Sequence, residues 1–98
     1  MPMKYELIHA PSRDTREMIL RRIRHGVDTE GLSWGAVLLA QGSVSEIIAA
    51  ADEGTKAVPV RAVELLGNCP QHINTVAFIG ASAQIEQVLS VLKNGGRI

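Results

Sequence analysis

WGAVLLAQGSVSEIIAAADEGTKAVPV, residues 34–60, contains two successive patterns of apolar residues, the first typical of a strand and the second typical of a helix. Residues 34–40 are a continuous apolar run of strand length, which predicts a central strand covered on both faces. A helix is predicted to follow, because Ser43 and Glu46 form a capping box and Pro59 stops the pattern. The predicted apolar stripe of this helix consists of Val44, Ile47, Ile48 and Ala51. Its three consecutive alanines allow close approach to a sheet or to a neighbouring chain.

Strand and helix patterns also occupy the beginning of the chain. Residues 4–10 partly alternate and run into Pro11, which predicts a short strand followed by a turn. A helix is then predicted from Asp14, with Glu17 three residues later as the partner in its cap. Gly26 is placed to end this helix.

Two more strands and a last helix complete the pattern. Residues 60–66 and 73–81 read as strands, and residues 67–72 between them read as a hairpin loop whose glycine favours positive φ. Ser82 is a predicted cap for the last helix, which presents its apolar residues on one face before the stop at residues 94–96. The prediction is an α/β chain of the α+β sandwich type, with a four-stranded, mainly antiparallel sheet covered by helices.

Length and charge restrict the function classes. The 98 residues fit one domain, 1–98, and ten basic residues cancel ten acidic ones, which argues against a nucleic-acid partner. The basic run at residues 21–25 is interpreted as a solvated helix face, with RNA or an acidic partner as the alternative. Apolar runs are all shorter than the roughly 18 residues that span a membrane. We expect a cytoplasmic protein without a membrane partner, in which the single cysteine stays reduced.

Catalytic motifs are missing from the sequence. It contains no recognisable pairing of a nucleophile with a base, no paired carboxylates in a known motif and no phosphate-binding glycine loop. The Gly80-Ala81-Ser82 step before the last helix is a common turn between a strand and a helix. The sequence therefore does not predict an enzyme.

The order of these elements is similar to that of a known family. Residues 34–92 resemble the bacterial microcompartment (BMC) shell domain, and AAADEGTKAVPV, residues 49–60, is the most telling part. The strand, proline turn and helix that normally end that domain stand first here, as KYELIHAPSRDTREMILRRI. The resemblance implies a circularly permuted shell protein, in which residues 1–30 are the moved segment and residues 33–93 keep the family order. No additional strand precedes residue 4, so a capped pore is not expected.

The hairpin loop points to one type of shell protein within this family. Gly67, Cys69, Pro70 and Gln71 form a G-x-C-P-Q motif similar to that of the shell protein of glycyl-radical, propanediol-type microcompartments. This resemblance implies a homohexamer whose hairpins line a central pore, with Gly67, Asn68, Pro70 and Gln71 as lining residues. It also implies an iron–sulfur cluster, expected to be [4Fe–4S], which is shared between copies of Cys69 and transfers electrons across the shell. One chain supplies one thiolate, whereas such clusters usually take about four.

The resemblance also implies how hexamers meet. Lys56 corresponds to the family's edge lysine, and Arg13 is expected to assist at the same edge. The implied partners are further copies of the chain and other shell proteins, in a microcompartment shell within the bacterial cytoplasm. Two alternatives stay open at this point: a metal-free pore for small metabolites, and a regulatory domain that binds a small ligand between subunits.

Overall fold

The computed structural model describes residues 2–67 and 73–98 as one α+β domain. Its strands and helices alternate in the order expected from the sequence. In chain order the elements are β1 Lys4–His9, α1 Arg13–Arg22, β2 Ala36–Ser43, α2 Val44–Ala57, β3 Arg61–Leu65, β4 Ile73–Gly80 and α3 Ser82–Asn94. The predicted fold class is therefore confirmed.

All strand pairs in the sheet are antiparallel. The spatial order is β1-β2-β4-β3, so the apolar run of β2 lies at the centre beside β4. Leu38 pairs with Phe78, and both side chains are fully buried. We call the end of the sheet at Ser43, Leu65 and Ile73 the hairpin end, because β3 and β4 leave it toward residues 68–72. The opposite end, near Ala36 and Gly80, is the distal end.

Helices α2 and α3 cover one face of the sheet and form the larger part of the core. Phe78 and Leu38 meet Ile85, Val88 and the other buried residues of these helices there. Helix α2 approaches the sheet closely at Gly54, where a Cβ atom would lie only 2.8 Å from the Phe78 ring. Of the three alanines predicted to permit close packing, Ala50 is fully buried in this core and Ala51 packs against it.

Helix α1 covers the other face only in part. Ile19 and Ile23 pack on Val63, Leu65 and neighbouring residues of the sheet. Val37 is fully buried below them, but Leu39, two residues further along β2 on the same face, is only half-buried. The prediction that β2 is covered on both faces is correct for its distal half and wrong for the half nearer the hairpin end.

The ends of two helices differ from the prediction. Ser12, rather than Asp14, caps α1 by accepting a hydrogen bond from the Thr15 N–H at 3.2 Å. The helix ends at Arg22, before Gly26, because Ile23 turns into a β-bridge with Leu65. The predicted capping box of α2 is confirmed: the Ser43 N–H donates to the Glu46 carboxylate at 2.9 Å, while the Glu46 N–H donates to the Ser43 hydroxyl.

The predicted stripe of α2 and cap of α3 also need correction. Ile47 is buried as predicted, but the stripe continues through Ala50 and Gly54, which leaves Val44 and Ile48 exposed. Ala81 occupies the cap position of α3 without a side-chain hydrogen bond. The hydroxyl of Ser82 bonds instead to a histidine of β1.

Candidate functional site

The predicted site lies at the hairpin end, where β3 and β4 separate beyond the pair Leu65–Thr75. Asn68, Cys69, Pro70 and Gln71, predicted as pore and cluster residues, fall outside the described residues. Gly67 is described and exposed. Its φ is not in the left-handed range, contrary to the turn prediction, and among the described residues no atom beyond its chain neighbours lies within 4 Å of the position that a Cβ would take. The described chain thus delivers both strands of the hairpin to one end of the sheet.

An apolar groove opens at the hairpin end of the sheet. It has a volume of about 440 Å³ and lies where α1 leaves the sheet uncovered. Its apolar lining includes Ile8, Met18, Leu39, Leu65, Leu66 and Ile73. Met18 and Leu66 are each 50% exposed and Ile73 is 39% exposed, so large apolar side chains face water here. We call this feature the α1 groove.

The basic end of α1 forms one wall of the α1 groove. The Leu66 N–H donates to the Arg22 carbonyl at 2.7 Å, which holds the last turn of α1 against the end of β3. Arg22 also donates from Nη1 to the Met18 carbonyl at 3.0 Å. Arg21 and Arg22 line a neighbouring depression with Met18, Leu66 and Gly67. Part of the basic run recognised in the sequence therefore lies at the hairpin end of the sheet.

A second apolar surface lies at the hairpin end on the opposite face of the sheet. Val44 and Ile48, one turn apart on α2, are 42% and 61% exposed. Asp52 follows one turn later in the same row and is also exposed. We call Val44, Ile48 and Asp52 the α2 ridge. The sequence pattern had assigned its two apolar residues to the core.

Lys56 and Arg13, the predicted edge residues, both lie toward the distal end and are exposed. Lys56 Nζ bonds to the Asp52 carboxylate at 2.8 Å, and this hydrogen bond raises the pKa of Lys56 above its ordinary value. Arg13 Nε lies 3.3 Å from the Glu17 carboxylate. The fold separates both residues from the hairpin by the length of the sheet.

A polar cluster that sequence reasoning missed also lies at the distal end. His9 Nδ1 is 2.9 Å from the Ser82 hydroxyl, and His9 Nε2 is 3.7 Å from a Glu86 oxygen. The sequence gives no signal for this cluster, because His9 has no suitable partner nearby in the sequence. Its hydroxyl partner is 73 residues away and is brought close only by the pairing of β1 with β2 and by the packing of α3.

Single-chain metal binding is not supported in the described part of the chain. Among residues 2–67 and 73–98, no group of three His, Cys, Asp or Glu side chains could hold a metal ion. Within the same residues, no helix is long and apolar enough to cross a membrane.

Comparison with solved structures identifies the architecture. The ligand-free GrpU microcompartment shell protein of Pectobacterium wasabiae superposes with a TM-score of 0.72, at 26% identity over 92% of this chain and 99% of that one. The fold is that of a microcompartment shell protein. The ligand-free GrpU microcompartment shell protein of Clostridiales bacterium 1_7_47FAA gives a TM-score of 0.69, at 24% identity over 93% of this chain and 88% of that one. No protein-family profile and no curated protein sequence matches the chain.

Proposed function

We propose that the chain is a structural shell protein of a bacterial microcompartment, assembled as a cyclic homohexamer whose hairpins, residues 68–72, line a central pore. The likeness to the Pectobacterium GrpU shell protein carries this proposal, because it extends over nearly the full length of both chains. The protein would work beside other shell proteins in the bacterial cytoplasm. Its role is structural rather than enzymatic.

The circularly permuted order belongs to the same proposal. A permutation joins the original ends of a domain and opens the chain elsewhere, so the two segments that now come first and last must lie close together. The Met3 N–H donates to the Arg97 carbonyl at 2.9 Å, which supports this requirement.

The proposed cofactor is an iron–sulfur cluster of the [4Fe–4S] type, held in the pore by Cys69 thiolates from several copies. Each chain has one cysteine, whereas a cluster of this type usually takes about four thiolates. The ligands must therefore come from different copies, as a ring allows. Pro70 has no N–H and restricts the backbone next to the ligand, while Gly67, Asn68 and Gln71 complete the lining.

A cluster in that position would supply one-electron transfer across the shell, accepting an electron from a reduced carrier on one side and returning it to an oxidised carrier on the other. The motif around Cys69 resembles that of glycyl-radical, propanediol-type compartments, which is the setting we propose. At the distal end, Lys56 and Arg13 would meet neighbouring hexamers, since both are exposed and lie away from the hairpin.

Anaerobic purification combined with native mass measurement tests the ring and the cluster together. Wild-type protein should have the mass of six chains, contain iron and acid-labile sulfide in equal amounts, and absorb visible light. Cys69→Ser should keep the sixfold mass and lose iron, sulfide and colour.

Other outcomes would select the alternatives. A colourless wild-type hexamer without iron would refute the cluster and favour a metal-free pore for small metabolites. A dimer or trimer whose melting temperature rises with an added metabolite would refute the shell ring and favour a regulatory domain.

A further inference from the structure

We infer that the α2 ridge of one copy packs into the α1 groove of the next copy, and that this contact closes the ring. The inference rests on the proposed function, because it requires several copies around one axis. It names the surfaces that meet, which neither the fold nor the comparisons assign. The two partners are Val44, Ile48 and Asp52 on one side, and Met18, Leu66 and Arg22 among the groove residues on the other.

Apolar exposure supports the contact on both sides. Ile48 is 61% exposed, and Met18 and Leu66 are each 50% exposed. Large apolar side chains grouped on a surface indicate an interaction site more often than single ones do. A helix row with apolar side chains one turn apart is a shape that fits a groove between a helix and a sheet. The groove volume of about 440 Å³ leaves room for two such side chains.

Charge gives the contact a direction and favours a second copy over an unrelated partner. Asp52 continues the row of Val44 and Ile48, while Arg22 continues the row of Met18 on α1. Each helix therefore presents an apolar residue and, one turn nearer its C-terminus, a charge opposite in sign to that on the other helix, although Asp52 also bonds to Lys56 of its own chain. Docking with the two helices parallel and Ile48 beside Met18 brings the Asp52 carboxylate toward the Arg22 guanidinium, a pairing that can be bidentate.

The position of the two surfaces favours a closed ring with the hairpins inside. The ridge lies on the face of the sheet covered by α2 and α3, and the groove lies on the opposite face. Both are nearest the hairpin end, since Ser43 before α2 pairs with Ile73 of the groove. Contacts between two different surfaces join copies head to tail, and such contacts close into a ring when the rotation permits. Contacts near the hairpin end would turn every hairpin toward the common axis.

Native mass measurement over a concentration series tests the inference with matched aspartate substitutions. Ile48→Asp and Met18→Asp each place an unpaired carboxylate in the apolar contact, which is costly. Each should raise the concentration of half-assembly at least about tenfold, a change that corresponds to ~1.4 kcal/mol. Leu20→Asp is the control, because Leu20 is 38% exposed on α1 and lies outside the α1 groove. It should assemble like the wild type.

A charge exchange provides a second test that does not depend on the apolar variants folding. Asp52→Arg and Arg22→Asp should each weaken assembly, and the double variant should recover a substantial part of the loss. Far-UV circular dichroism at low concentration checks that each variant remains folded. Independent, additive effects of the two charge changes would contradict contact between Asp52 and Arg22.

The outcomes separate this inference from the proposed function. If the wild type is a hexamer and both Ile48→Asp and Met18→Asp assemble as hexamers equally well, the ridge-and-groove contact is overturned. The shell ring would then remain, and the groove would be left to another occupant. A wild-type protein that stays monomeric at high concentration would remove the ring itself. Loss of the hexamer in both variants, with retention in Leu20→Asp, supports the contact.

Discussion

Replacing Gly54 by alanine should destabilise the fold, although alanine is the better helix former. A Cβ at this position would lie 2.8 Å from Phe78 Cε1 and 3.2 Å from Val88 Cγ1. Phe78 is 0% exposed in the middle of β4, so its ring has no open space to enter. Real Cβ contacts are essentially never shorter than 3.0 Å, and either α2 or the ring must therefore move.

Two opposing effects set the magnitude. Alanine gains about 1 kcal/mol over glycine inside a helix. An extra methyl group in a well-packed core costs roughly 1–3 kcal/mol. We expect a net loss of about 1 kcal/mol in the free energy of unfolding, which corresponds to a melting temperature lower by roughly 4–8 °C in a domain of this size.

Making Gly54→Ala in a Phe78→Leu background tests the explanation by close packing, because leucine lacks the ring edge that the new Cβ would meet. Gly54→Ala should then destabilise the protein less than in the wild type, or stabilise it by up to about 1 kcal/mol, since the contacts with the ring are gone and only the 3.2 Å approach to Val88 Cγ1 opposes the helix propensity. The two residues should thus couple by about 1–2 kcal/mol in a double-mutant cycle. Urea unfolding followed by circular dichroism gives these values, at one protein concentration and one verified oligomeric state. A stabilising Gly54→Ala in the wild-type background would refute the close-packing argument, as would the same effect in both backgrounds.

Three further changes test other parts of the fold. Ser43→Ala should lower the free energy of unfolding by roughly 0.5–2 kcal/mol in thermal or urea unfolding, because the cap of α2 is lost. The pKa of Glu46 lies below its ordinary 4.5 because the Ser43 N–H donates to its carboxylate. The ionised carboxylate therefore adds to the free energy of unfolding above pH 4.5, and this stabilisation disappears as the pH falls through the lowered pKa. Glu46→Gln should accordingly flatten the loss of stability in that acidic range; an unchanged pH profile would contradict this. Gly35→Ala should cost about 1–3 kcal/mol, because a Cβ would lie 2.8 Å from the Ser82 amide nitrogen, and backbone atoms cannot rotate away.

The sequence predicted the elements of the fold better than their boundaries. The apolar run of β2 and the capping box at Ser43 are local signals, and both identified the correct structure. Ser12 replaced Asp14 as the cap of α1 because both residue types can cap, and Asp14 still gains from the helix dipole in the first turn. Ile23 left the helix because a bridge to Leu65, far away in sequence, competed with the last helical turn.

The candidate site was less accessible to sequence reasoning. Val44 and Ile48 fit an amphipathic pattern as well as the residues that are actually buried, because the stripe of α2 is apolar on two sides and only tertiary packing selects one. The α1 groove arises because α1 covers half of a sheet face, which a linear pattern does not reveal. The role of Cys69 stays a prediction, since it depends on the resemblance and lies outside the described residues.

Charge and apolar contacts at opposite ends of the sheet should make the assembly respond to salt in two steps. The exposed cations Lys56 and Arg13 lie toward the distal end, and attraction between exposed charges of two hexamers is weakened by salt. The α1 groove and α2 ridge are mainly apolar, and salt does not screen such contacts. If hexamers meet through the distal end, rising ionic strength should separate arrays of hexamers while each hexamer keeps its mass. Electron microscopy of arrays beside native mass measurement checks this order, and rings that dissociate at lower salt than arrays would contradict it.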